Sequence, residues 1–479
     1  MTQAGRIALR RSFTILKRKI GAYSKWYDVT PWSVDKVIEK MPSHNRRRYL
    51  NLLPDYAWRV LGKVSARVSM FVKPDKFDGV AGKIVAGKRV KARAIQSRQP
   101  VFNLAIARYL KPIESFLYRV AGWCSPSGTR LIAKGLTPRK RAALLQRKLR
   151  AFNNPIVLNL DASSFDASIC MYALRLLHGL YLSLLPDPEF ARLLGMLLRN
   201  SVRSKHGLSY RTRGKRMSGD MDTALGNCLN MIAYVAAACA MVGVRVWDVL
   251  NDGDDCILIL ERDHVPVNIA NLLRNAFAQL GITCVPVKCE DVDADNLESC
   301  DACRSRPVLL DRGWTFVRWP WRAVTNFLST YKYHLEPKGF PRHMLGMSIC
   351  TAWESQGQPM MQAYARHVCS LLQAFELPRW QGTDYYRNAI RRGINIKVFV
   401  PPALSISSSA RDSFAKAFGV TVTEQLEFER LVESLTLSEL LDPINEGDEV
   451  LPLPVDFSLW TGRYIYSDCD GTSQSHYKL

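Results

Sequence analysis

The stretch Arg245-Val-Trp-Asp-Val-Leu-Asn-Asp-Gly-Asp-Asp-Cys-Ile-Leu-Ile-Leu260 holds two β-rich runs, 245–250 and 256–260, on either side of Asn251-Asp-Gly-Asp-Asp255. Gly and Asp are what a tight turn between antiparallel strands requires, so the stretch reads as a hairpin. Its unusual feature is a pair of adjacent carboxylates, Asp254 and Asp255, at the tip. Asp161 ends a second apolar run, Pro155-Ile-Val-Leu-Asn-Leu160, of the kind a central strand accepts, and Asp166 follows five residues later. Taken alone, Asp161 reads first as a strand-end cap. Two carboxylates in a turn and a third at a neighbouring strand end would form an oxygen-rich site for two hard cations, about 3.5 to 4 Å apart, suited to phosphoryl transfer.

Between these strands lies Gly214-Lys-Arg-Met-Ser-Gly-Asp-Met-Asp-Thr-Ala-Leu-Gly-Asn-Cys-Leu-Asn-Met231, a glycine-bearing loop entering a helix. Gly219 and Gly226 permit close backbone approach, while Ser218, Thr223 and Asn227 offer hydroxyl and amide contacts at the helix start. A plain capped helix is the alternative, with Ser218 or Thr223 as the cap.

These three stretches resemble motifs A (160–166), B (214–231) and C (251–258) of the RNA-dependent RNA polymerases of plus-strand RNA viruses, in the tombusvirus-like group. The resemblance runs on in the family's order over residues 70–320. Phe71-Val-Lys-Pro-Asp-Lys76, Lys91-Ala-Arg-Ala-Ile-Gln-Ser-Arg98 and Arg108-Tyr-Leu-Lys-Pro-Ile-Glu114 look like the fingers and motif F. Lys288 stands where motif D places its lysine, and Ala302-Cys-Arg-Ser-Arg-Pro-Val308 with Val317-Arg-Trp-Pro320 resembles motif E and its sequel. Six ordered motifs are far more specific than any one of them.

The resemblance implies nucleotidyl transfer from NTPs to the 3′-end of RNA with release of pyrophosphate. Asp161 and Asp254, assisted by Asp255, would hold two Mg²⁺ ions, for which Mn²⁺ could substitute. Lys91, Arg93 and Arg98 would neutralise the triphosphate, and Lys288 would assist the leaving pyrophosphate. Asp166, Ser218, Thr223 and Asn227 would read the ribose, since a carboxylate and an amide can hydrogen-bond a 2′-hydroxyl. Two departures stand out. Asp222 occupies a position where most relatives carry Asn, and Asp252 adds a fourth carboxylate that reads as a turn residue.

The implied fold is α+β, a right hand whose antiparallel palm sheet is flanked by helices. Its parts would be a basic N-terminal extension (1–49), fingers (50–155 with 170–215 inserted), palm (156–330), a helical thumb (331–450) and a C-terminal tail (451–479). Starting at Met1 without the auxiliary region common in such replicases suggests that this region is a separate protein, or that the first residues belong to a fused product. The competing class is a non-enzymatic RNA-binding or packaging protein derived from a polymerase.

Composition agrees with a polyanion-binding protein. The net charge is +23, and residues 1–150 hold 34 basic and 7 acidic side chains against 32 and 36 in the remainder. Such a basic third suits single-stranded RNA template and product. Leu9, Phe13, Leu16 and Ile20 recur at helical spacing among Arg10, Arg11, Lys17, Arg18 and Lys19, which predicts a basic amphipathic helix. Its charged face could be simply solvated, or could meet RNA or a membrane surface. Twelve scattered cysteines do not form a secreted disulfide framework. Cys284, Cys289, Cys300 and Cys303 could hold a structural zinc ion, although reduced thiols are the preferred reading. The longest apolar run, 231–244, falls short of the roughly 20 residues of a membrane span and reads as a buried helix. The expected setting is the host-cell cytoplasm, with membrane-associated replication complexes reached through a viral auxiliary replication protein.

Overall fold

The computed structural model describes residues 1–27, 29–41, 43–53, 61–73, 93–120, 125–289, 291–327, 339–375 and 400–441. Lys91, the lysine-rich stretch 74–90 and the tail 451–479 lie outside the described residues. The chain divides into two compact units: residues 1–75, 91–135 and 144–295 form the first, and 76–90, 136–143 and 296–479 the second.

The first unit is built on two four-stranded sheets. One contains β1 (Val68–Val72), β2 (Ala94–Arg98), β4 (Arg199–Ser204) and β5 (Ser209–Arg213) in the order β2-β1-β4-β5. The other contains β3 (Pro155–Ala162), β6 (Trp247–Asn251), β7 (Cys256–Glu261) and β8 (Cys284–Cys289) in the order β6-β7-β3-β8, with every neighbour antiparallel. The unbroken apolar run Cys-Ile-Leu-Ile-Leu makes β7 a central strand, and all six of its residues are buried. A strand covered on one face only would alternate with polar residues.

Helices of the first unit are α1 (Gln3–Ser24), α2 (Val34–Lys40), α3 (Ser43–Leu50), α4 (Pro100–Leu117), α5 (Pro138–Leu149, shared at its start with the second unit), α6 (Phe165–Ser168), α7 (Met171–Leu184), α8 (Pro188–Leu197), α9 (Thr223–Met241) and α10 (Ile269–Gln279). In α9 every residue from Leu225 to Cys239 except Ala236 is buried. A helix apolar on all sides has no solvent face and becomes the core element. It is long and apolar enough to cross a membrane by composition, but here the first unit folds around it.

The N-terminal basic segment packs into this core. Leu9, Phe13, Leu16 and Ile20 of α1 are at most 3% exposed and lie against α9, α7 and α10. The Thr2 side chain caps the helix at the Gly5 amide, while the Thr2 amide donates to Gln279 O at 2.8 Å. Burying each large apolar side chain contributes about 1.5 to 3 kcal/mol, enough to dock the helix firmly.

The second unit contains a two-stranded hairpin, β9 (Ser305–Leu310) and β10 (Gly313–Arg318), followed by α11 (Pro320–Phe327), α12 (Gly339–Glu354), α13 (Met361–Leu371), α14 (Ser408–Phe418), α15 (Val422–Ser434) and α16 (Leu437–Leu441). Val308 and Val317 of the hairpin share one apolar cluster with Met344, Tyr364, Phe414 and Phe428. Residues 296–327 therefore group with the helices that follow them. A Gly419 C-cap at φ +69° ends α14, and a reciprocal Thr421–Glu424 capping box starts α15 two residues later. The protein is thus mixed helix and sheet.

Candidate active site

Register sets the first relationship. Leu160 pairs with Cys256 in the antiparallel β3–β7 ladder, so the next step of that register puts Asp161 across from Asp255 on the same face of the sheet. Asp254 is one residue further into the turn. That turn is closed by the Asp252 amide donating to Asp255 O at 2.8 Å and by the Asn251 side-chain amide donating to Gly253 O at 3.0 Å. Asn251, fully buried, is itself held by Leu131 O and the Ala133 amide, at 3.0 and 2.7 Å. Lys134 Nζ reaches Asp252 O at 2.8 Å and Asp252 Oδ1 at 2.6 Å. Asp252 is thus tied to Lys134 at the turn. Sequence reading missed Asn251 and Lys134, because nothing marks one residue in 131–134 as the partner of a turn more than a hundred positions away.

The turn meets the start of α9. A Cβ on Gly253 would lie 3.9 Å from Asn227 Cβ, and Asn227 Nδ2 donates to Asp166 Oδ1 at 2.7 Å. The Asn227 Oδ1 is buried with no partner among the described residues. Burial raises the Asp166 pKa; the Asn227 bond and Arg216 oppose the shift, while Asp254 and Asp222 reinforce it. The structure therefore brings Asp166, Asn227 and Asp254 together.

Preceding α9, the loop is held by two buried ion pairs. Arg98 donates from Nε to Asp220 Oδ1 at 2.5 Å, from Nη1 to Ala66 O at 2.7 Å and from Nη2 to Asn200 Oδ1 at 2.7 Å. Its side chain is 1% exposed. This corrects the expectation that Arg98 meets a triphosphate: all three guanidinium nitrogens are committed inside the protein, and the residue instead fastens β2 to the loop. Arg216 Nη1 donates to Asp222 Oδ1 at 2.7 Å, and the Tyr181 hydroxyl donates to Asp222 Oδ2 at 3.2 Å. Burial disfavours the Asp222 carboxylate, but Arg216 and Tyr181 outweigh it and hold its pKa below the usual carboxylate range. Asp222 thus anchors the loop and is not a partner of Asp166.

Ser218 and Thr223 also bond within the protein. Ser218 Oγ accepts from the Gln96 amide at 3.0 Å and donates to Ala94 O at 3.3 Å, while Thr223 Oγ1 donates to Met217 O at 2.9 Å. The Gly219 amide adds a bond to Gln96 O at 2.9 Å, where a Cβ would come within 2.7 Å of that oxygen. At Gly226 a Cβ would stand 2.5 Å from Arg216 Nη2 and 2.9 Å from Asp222 Oδ2, so only glycine lets the ion pair cross the helix start. Of the four residues expected to read the ribose, Asp166 and Asn227 face each other; the two hydroxyls hold the loop.

Lys288 is placed away from the carboxylates. It pairs with Leu158 on β8, whereas Asp161 pairs with Val285. Three residues along a strand is about 10 Å and reverses the face, so Lys288 lies on the face opposite Asp161. The role expected from motif D is not supported by this register. Arg93, just before β2, is exposed. Cys284 and Cys289 are five apart on one strand and therefore point to opposite faces, which excludes their sharing a zinc ion.

Beneath the hairpin, Lys148 Nζ and Asp248 Oδ1 form a wholly buried pair at 2.8 Å. Ser125 and Ser127 also donate to Asp248 Oδ2. Burial lowers the Lys148 pKa, and Asp248 opposes that shift. A lysine inside a basic helix gives no sequence sign that it alone turns inward.

The carboxylates offer the hard oxygen donors that a divalent cation of the magnesium type prefers. Among the described residues no three His, Cys, Asp or Glu side chains are gathered into one ligand group. The donor chemistry of Asp161 and Asp255, which the strand register leads towards each other, suits such an ion.

The sequence matches the family described as viral RNA dependent RNA polymerase over residues 8–439. It is 31% identical over 420 residues to the RNA-directed RNA polymerase of Groundnut rosette virus (strain MC1), covering 86% of this chain and 47% of that protein. It is 29% identical over 462 residues to that of Oat chlorotic stunt virus, covering 92% and 57%, and 30% identical over 382 residues to that of Tomato bushy stunt virus (strain Cherry), covering 77% and 43%. The chain spans about half the length of these relatives. With the family match running through the whole of both sheets and into α16, the chain belongs to the viral RNA dependent RNA polymerases.

Proposed function

We propose that this chain catalyses template-directed transfer of nucleotides from NTPs to the 3′-end of RNA, releasing pyrophosphate, in replication of a viral genome. The observation that carries it is the β3–β7 register, whose last pair, Leu160 and Cys256, leads into Asp161 and Asp255, with Asp254 close enough to the Asp166–Asn227 pair to raise the Asp166 pKa.

In this reading Asp161 and Asp254, with Asp255 assisting, hold two Mg²⁺ ions. Bound there, the ions supply a more acidic 3′-hydroxyl and charge neutralisation at the α-phosphate. The chain's own residues do the rest. Lys134 and Asn251 fix the turn so that Asp254 and Asp255 keep one geometry without rearranging during the reaction. The unpartnered Asn227 Oδ1 accepts a hydrogen bond from the ribose 2′-hydroxyl, and Asp166 holds the Asn227 amide in place for it. Arg93, with Lys91, neutralises the triphosphate from the fingers side.

The right-hand division belongs to the same proposal: fingers over 50–155 with 170–215, a palm built on the β6-β7-β3-β8 sheet, and a thumb from the helices after 331. So do single-stranded RNA template, RNA product, a viral auxiliary protein and, through it, host membranes in the cytoplasm. Primer extension on a short RNA template with the purified chain, Mg²⁺ and NTPs tests the reading. Template-dependent product supports it, and RNA binding without incorporation favours the non-enzymatic alternative.

A further inference from the structure

The solvent side of α1 forms a groove of about 620 Å³ with the start of α7, lined by Arg6, Arg10, Arg11, Thr14, Arg18 and Tyr172 among others. α1 carries no acidic residue. None of these four arginines forms an ion pair with a described carboxylate. Arg6, Arg10, Thr14 and Arg18 follow one another at four-residue steps, each about 6 Å along the helix, so they form a ridge about 18 Å long. Tyr172 closes one side; its hydroxyl donates to Arg6 O at 3.2 Å and the Arg6 guanidinium lies 5.9 Å from its ring centre.

We propose that this groove is a binding track for single-stranded RNA, separate from the catalytic carboxylates. Three guanidinium groups and a hydroxyl at regular spacing, with Arg11 beside them, suit successive phosphodiesters, and guanidinium and tyrosine planes accept stacked bases. An anionic membrane is the poorer occupant. The apolar stripe such a helix would insert, Leu9, Phe13, Leu16 and Ile20, is already buried in the core. Outward, only Ile7 and Ile15 stand in the groove, 64% and 39% exposed and eight residues apart, which makes no continuous apolar face. The proposal rests on the groove and not on chemistry at Asp254.

The test is binding of the full chain to a fluorescent oligouridylate across a salt series. Changing Arg6, Arg10, Arg11 and Arg18 together to Gln should lower affinity at least about tenfold and reduce the slope of log affinity against log salt by about 2 to 3, since each single-strand phosphate contact contributes about 0.7. The same four positions changed to Lys should keep most of the slope, which a merely misfolded helix would not do. Asp254→Asn should keep the slope whatever it does to extension, so the groove and the polymerase reading fail separately. An unchanged slope in the Gln variant overturns the track. So does an unchanged slope accompanied by lost binding to phosphatidylserine vesicles, which would assign the groove to membranes.

Discussion

Asn227 and Asp166 are joined by one amide-to-carboxylate bond of 2.7 Å, and the other half of the Asn227 amide, Oδ1, is buried without a partner among the described residues. A ribose 2′-hydroxyl can donate to that oxygen, and a deoxynucleotide leaves it unpaired. One unpaired buried group costs about 1 to 3 kcal/mol, so this oxygen alone should discriminate against dNTPs by about fivefold to on the order of 10². Asn227→Ala should narrow the rNTP to dNTP ratio from both ends, as single-nucleotide incorporation would register. An unchanged ratio with lower activity would reduce Asn227 to a support for the helix start.

Asp166 should carry a cost in stability. Burial raises its folded-state pKa, so the folded chain binds its proton more readily than the unfolded chain does. Stability then falls as pH rises from the unfolded aspartate value, about 3.9, through the raised folded one. Asp166→Asn should flatten that dependence and melt no lower than the parent at neutral pH, while losing sugar discrimination. Melting curves between pH 4 and 8 check the sign; a variant much less stable at pH 7 would contradict it.

The Arg216–Asp222 pair makes a different demand. Both side chains are at most 1% exposed. Asp222→Asn removes the charge opposite a buried guanidinium and should cost about 3 to 5 kcal/mol in denaturant unfolding. Replacing the pair together, Arg216→Met with Asp222→Leu, should recover much of that loss. A single Asn variant as stable as the parent would mean that water or another group already serves Arg216.

Arg98 and Arg93, five residues apart, should separate cleanly. Arg98→Ala leaves Asp220 buried beside an empty site and should lower the melting temperature. Arg93→Ala, at an exposed position, should leave melting nearly unchanged and raise the KM for NTP several-fold. Equal KM effects and equal melting would contradict the distinction.

That contrast shows where the sequence is legible. Strand–turn–strand at 245–260 and the helix after Thr223 follow from short-range patterns, so strand register leads Asp161 towards Asp255 and the helix start sets Asn227 against Asp166, with Asp254 close enough to act on Asp166. Arg98 and Lys288 were assigned by motif order alone. Order along the chain does not say whether a cation's donors are used up inside, as at Arg98, or which face of a strand it occupies, as at Lys288. Lys134, Lys148 and Asn251 were illegible for the same reason: each acts through a partner chosen by tertiary packing, not by spacing.

The most direct measurement is nucleotide incorporation by Asp254→Asn on a primed RNA template. The substitution keeps side-chain size and turn preference while removing the charge that would hold a divalent cation. With melting and RNA affinity near those of the parent, incorporation should fall by about three orders of magnitude or more. Near-normal extension by that folded variant would contradict catalysis at the β6–β7 turn.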